Sequence, residues 1–140
     1  MDCEYWRDVV RQLRDPSRCN WASHVLSSGL LPKGSDPQLS NLDLTLKCVS
    51  PAEVIESAVY AYLDWSAQPY CDLILSQFTA EEVLSAYLKV PAPDSNMKVG
   101  VLGILEDLDR KLAKRLASSL NQWEEPEDVL KAVRYTLRAT

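Results

Sequence analysis

The chain has 140 residues, 46% of them hydrophobic, 25% charged and only four glycine, a composition that points away from a disordered or membrane protein and reads as one helical domain over 1–140. Its net charge of −5 disfavours a binder of nucleic-acid phosphates, whose affinity comes from clustered Lys and Arg. Charges interrupt every apolar run after a few residues, so nothing supplies the roughly 20-residue span of a transmembrane helix and no membrane partner is expected.

The opening residues, Met1 to Asp8, lack the basic end and apolar centre of a secretory signal. Four widely spaced cysteines, Cys3, Cys19, Cys48 and Cys71, allow three pairings in an exported protein. With no other mark of export, the expectation is reduced, mostly buried thiols in the cytoplasm or another reducing compartment.

Taken in order, Asp2 to Arg14 reads as a first helix, with Trp6, Val9, Val10 and Leu13 on one face. Arg7, Arg11 and Arg14 lie opposite, beside Glu4, Asp8 and Asp15, which predicts a solvated, salt-bridged surface. Pro16 to Ser28 is a weaker helix, capped by Asp15 and closed by Gly29. The turn formers Pro32, Gly34, Ser35, Asp36 and Pro37 make Leu30 to Asn41 the one long loop, and long ordered loops are often functional.

Leu42 to Cys48 alternates apolar and polar residues as a half-buried strand would. It is the only strand-like piece, so it is expected to lie extended across the helices or to pair with another molecule. Ser50, Pro51 and Glu53 start the next helix, with Ile55, Ala58, Val59, Tyr62 and Leu63 inward and Pro69 ending it. Tyr70 to Phe78 is a short apolar helix; Thr79 and Glu82 form a capping box for a helix reaching Val90.

After the stiff linker Pro91-Ala92-Pro93, one long central helix is predicted over 96–122. Its apolar line runs Val101, Ile104, Leu105, Leu108, Leu112, Leu116, Leu120, and Glu106/Arg110 and Asp107/Lys111 pair on the wet face. Gly100 and Gly103 near its start suggest close approach of a neighbouring helix. Pro126 opens a last helix, acidic at its start and basic at its end, as the helix dipole favours. The fold class is therefore all-α: a compact bundle of six or seven helices around the long one, with an extended segment near 42–48.

Enzyme chemistry has little to work with. His24 is the only histidine, and Cys19, five residues before it, does not share its helical face. A Cys19/His24 thiol enzyme is the alternative of another class. The cysteines lack the close paired spacing of zinc sites, and carboxylate groups such as Glu81/Glu82 and Glu124 to Asp128 fall in first turns of helices, where negative charge stabilises the helix dipole. No catalytic residue, metal or cofactor is expected.

Leu42, Leu44 and Leu46 resemble the L-x-L-x-L motif of plant repressors, which implies docking of an extended peptide on a corepressor, although three leucines so spaced are ordinary in a chain this rich in leucine. Leu42 to Leu63 also resembles pieces of ribbon-helix-helix regulators, which implies DNA reading by strand residues; here only Thr45 and Lys47 would face outward, with Asp43 against them. Of the tryptophans Trp6, Trp21, Trp65 and Trp123, Trp21 and Trp65 stand off the apolar lines. Interface hot spots are enriched in such residues.

These readings converge on a non-enzymatic protein-binding module, an adaptor or regulatory subunit. It would use the 30–49 loop and extended segment with nearby aromatics, and its partner-contact candidates are Trp21, Leu42, Leu44, Leu46 and Trp65. The alternative is an acidic inhibitor or immunity-type protein covering a basic site on an enzyme. The partner is another protein, and self-association stays open.

Overall fold

The computed structural model describes residues 2–30, 40–120 and 124–138. Among them the chain is all-helical, without a strand: α1 (Cys3–Gln12), α2 (Cys19–Ser27), α3 (Asn41–Leu46), α4 (Pro51–Ala61), α5 (Gln68–Leu75), α6 (Ala80–Leu88), α7 (Ser95–Leu108), α8 (Arg110–Ser119) and α9 (Glu127–Arg138), with a 3-10 turn at Trp65–Ala67. The buried apolar side chains form one continuous cluster. Helices α1 to α6 pack in overlapping pairs, while α7, α8 and α9 all touch one another and α7 rests on α4, α5 and α6. No described helix is long and apolar enough to cross a membrane.

Most helix starts follow from the residues that cap them. Asp2, Ser40, Ser50, Thr79 and Asp94 each accept a backbone N–H from the first turn that follows, which satisfies donors that a helix leaves open. Trp6, Val9, Val10 and Leu13 are buried as the periodicity predicts, as are Ile55, Ala58, Val59 and Tyr62.

The segment at 42–48 is not extended. Ser40 and Asp43 form a reciprocal capping box that starts α3, and the Asn41 side-chain amide donates to Val25 O at 2.8 Å, hooking the helix onto α2. Helical spacing then buries Leu42 and Thr45, three residues apart, and leaves Leu44 and Leu46 half-buried against the core. The strand expected there is overturned, and both resemblances lose the extended backbone they require. Residues 31–39, most of the expected long loop, lie outside the described residues, as does Trp123.

The expected single helix over 96–122 is two helices. Asp109 is extended (φ −160°, ψ 102°), ends α7, and caps α8 by accepting from Lys111 N at 3.0 Å and Leu112 N at 3.4 Å. The apolar line continues across this one-residue joint, because Val101, Ile104, Leu105, Leu112 and Leu116 are all buried. A capping aspartate inside an unbroken stripe is why pattern alone read one helix. Glu106 does pair with Arg110, at 3.5 Å; among the described residues Asp107 and Lys111 do not pair with each other. Gly100 lies against the ring of buried Tyr62, where an added Cβ would meet Cδ1 at 2.3 Å, whereas Gly103 faces open space.

Cys3 and Cys48 are joined by a disulfide that ties the first turn of α1 to a position two residues past α3. Reduced thiols were expected at all four positions; Cys19 and Cys71 are free and buried, but the other two are bridged. The sequence carries no sign of this, since 45 residues separate the pair and only the packing of α1 against α3 brings them together.

Candidate functional site

Two short loops of the same design adjoin the exposed residues Trp21 and Trp65. Asp15 accepts from the Ser17 backbone N–H at 2.9 Å and from its hydroxyl at 2.8 Å, and those bonds hold its carboxyl below the ordinary carboxylate value. Asp64 does the same for Ser66, at 2.9 and 2.7 Å. The first loop launches α2 and the second forms the 3-10 turn, which packs on α2. The side-chain amide of Asn20 donates to Ser66 Oγ at 2.8 Å and pins the two together.

Trp21 follows Asn20 on the outer side of α2, and Trp65 precedes Ser66 in the turn. They are 40% and 73% exposed. The Arg18 guanidinium lies over the Trp21 ring, 5.0 Å from its centroid, which holds the indole in place at the surface. One turn further along α2, exposed His24 rests against Tyr70 of α5, with ring centroids 4.9 Å apart. Trp21 and Trp65, singled out for standing off the apolar lines, thus sit on adjoining, hydrogen-bonded elements.

The leucines of α3 do not join this face. Leu42 is 2% exposed, and Leu44 and Leu46 pack against the core, so α3 supports α2 instead of presenting side chains outward. Leu42 is therefore corrected from a contact candidate to a core residue. Its signal was available as Ser40-x-x-Asp43, a capping box written with Asp in place of Glu.

On α2 Cys19 is buried and His24 exposed. The Cys19 thiol is buried and donates to Asp64 Oδ2 at 3.9 Å, and burial, then the Asp64 charge, push its pKa up. A nucleophilic thiol needs the opposite shift. Burial drives the Cys71 thiol well above the ordinary value too. Among the described residues no three His, Cys, Asp or Glu side chains come together as a metal ion would require.

Sequence reasoning missed a second surface feature, an open cleft of about 400 Å³ between α5, α7 and α9. Asp72, Glu106 and Asp107 supply carboxylates, Gly103 leaves the wall bare, and Tyr135 lies alongside at 71% exposure. The Tyr62 hydroxyl donates to Asp72 Oδ1, yet burial, aided by Asp107, raises the Asp72 carboxyl above its ordinary value. The exposure of Tyr135 was legible, because it falls outside the Val129/Val133/Thr136 line of α9; the convergence of three helices was not.

Together these observations define the class, an all-helical bundle with two exposed tryptophans, Trp21 and Trp65, on adjoining elements. No family model, no curated protein and no solved structure matches the chain.

Proposed function

We propose that this chain is a non-enzymatic protein-binding module, an adaptor or regulatory subunit, whose contact face is built on Trp21 and Trp65. The observation that carries the reading is the placement of two exposed indoles on elements locked together by the Asn20–Ser66 hydrogen bond. An indole removes roughly 150–250 Å² from water on burial, and interface energy concentrates in such rigid aromatic and arginine anchors. Arg18 and His24 supply a polar rim around them. The partner that fits is a folded protein with an apolar pocket able to take an indole. A cytoplasmic location goes with this reading, and the Cys3–Cys48 bridge is compatible with either an oxidising compartment or thiol exchange in a reducing one.

The test is affinity capture from native lysate with nuclease present, followed by purification of the captured protein and titration against the wild type and Trp21→Ala/Trp65→Ala. Both indoles are exposed, so the variant is expected to fold like the parent while its affinity falls at least a hundredfold. A partner held equally by the variant overturns the face. The acidic-inhibitor alternative draws on the carboxylate cleft at Asp72, Glu106 and Asp107. It predicts association that weakens steeply with salt and is indifferent to the two tryptophans.

A further inference from the structure

The disulfide opens onto a groove of about 330 Å³ between α1 and the start of α4, lined by Arg7, Val10, Arg11, Cys48, Val49, Ser50 and Glu53. Cys48 lines this groove and Cys3 does not. Arg7 and Arg11 were expected to pair with acids along their own helix, but Asp8 accepts from Gln12. Among the described residues neither arginine lies within 4.0 Å of a carboxylate. The one acid in the groove, Glu53, is engaged by Arg14 at 3.6 Å and by the Ser57 hydroxyl at 3.3 Å. The N-terminal turn of α4, capped by Ser50, adds its positive end to the same space.

Partly buried Cys48, bonded to Cys3, thus lines one groove with two exposed arginines that, among the described residues, carry no carboxylate. We propose that the Cys3–Cys48 bridge is a thiol-exchange site, and Cys48 a thiolation site, for a small thiol bearing carboxylates. The carboxylates would dock on Arg7 and Arg11, leaving the reagent's sulfur at Cys48. Its thiolate attacks Cys48 Sγ; the new S–S bond forms as the Cys3–Cys48 bond breaks, and the electron pair leaves on Cys3 Sγ. Cys3 occupies the first position of α1, where the helix's positive end stabilises a departing thiolate, and a better leaving thiolate speeds exchange. A second reagent thiolate attacks the reagent-side sulfur of the mixed disulfide and releases the oxidised reagent and the Cys48 thiolate. The protein is then the dithiol, and two reagent thiols have become one disulfide. The reverse sequence, from the oxidised reagent, closes the bridge again. The inference does not depend on the tryptophan face.

The test compares 3-mercaptopropionate, 2-mercaptoethanol and cysteamine as reductants of the purified, bridged protein. Opening is followed by alkylation and mass spectrometry, with each rate divided by the same thiol's rate on a small uncharged disulfide, which cancels differences in thiolate fraction and intrinsic nucleophilicity. The anionic thiol is expected to react about tenfold faster than the cationic one at low salt. That gap should close in Arg7→Gln/Arg11→Gln, and the trapped adduct should sit on Cys48. Equal rates for the three thiols, an unchanged gap in the double variant, or an adduct on Cys3 each overturns the inference. So does a protein in which Cys3 and Cys48 stay alkylatable after treatment with glutathione disulfide. Both arginines are exposed, and a thermal melt of the double variant checks that its fold is retained.

Discussion

Gly100 and Gly103 stand three residues apart on one helix and differ in what surrounds them. Alanine at 100 would place its Cβ 2.3 Å from a ring carbon of Tyr62, a fully buried side chain whose hydroxyl is tethered to Asp72, so the ring has no room to retreat. Overpacking of this kind costs about 1–3 kcal/mol, which outweighs the roughly 1 kcal/mol that alanine contributes in helix propensity. Gly100→Ala is therefore expected to lower the urea midpoint. Gly103→Ala meets nothing within 4 Å and should raise stability by up to about 1 kcal/mol. Asp72 supplies a pH dependence of definite sign. Burial holds its folded-state pKa above the ordinary value, so the native state favours the protonated acid. That contribution is complete below the ordinary value near 3.8 and is lost as pH rises through the elevated one. Comparing urea midpoints of parent and Asp72→Asn from pH 3 upward should show the variant gaining on the parent across that window, while Asn Oδ1 still accepts from Tyr62.

At the scale of elements, the decisive residues are caps. Asp109 separates α7 from α8 by accepting two backbone N–H groups; Asp109→Ala orphans both and favours a continuous helix that the packing of α7 and α8 on α9 does not admit. The expected loss is about 1 kcal/mol, read by denaturant unfolding. Caps also mark what was legible. Helices α1, α4 and α6 are capped by Asp2, Ser50 and Thr79, and their buried faces follow the apolar period. Over only six residues the alternation Leu42, Leu44, Leu46 suits a strand as well as a helical turn, and the difference rested on Ser40 and Asp43. The exposure of Trp21 and Trp65 was readable from their place off the apolar lines. Their adjacency was not, because it depends on an Asn20–Ser66 contact across 46 positions.

For the whole molecule, the covalent link between Cys3 and Cys48 removes conformational freedom from the unfolded chain over a 45-residue separation. Losing it through Cys48→Ser is expected to cost about 2–4 kcal/mol, measured as the difference in unfolding free energy between parent and variant without reductant. If the bridge opens in the cell, the same difference separates two forms of one protein, and the 31–39 stretch lies within the span it closes.

The joint between α6 and α7 carries a consequence for how the chain can be divided. Pro91 and Ala92 are exposed between Lys89 and Asp94, and every residue of the disulfide lies before them, while the mutually packed trio α7, α8 and α9 lies after. Backbone scission between Pro91 and Ala92 interrupts no helix. The protein is thus built as two complementary halves meeting where α4, α5 and α6 pack against α7 and α6 packs against α8, a layout suited to reconstitution from separately made pieces, with Pro91 and Ala92 as their new ends.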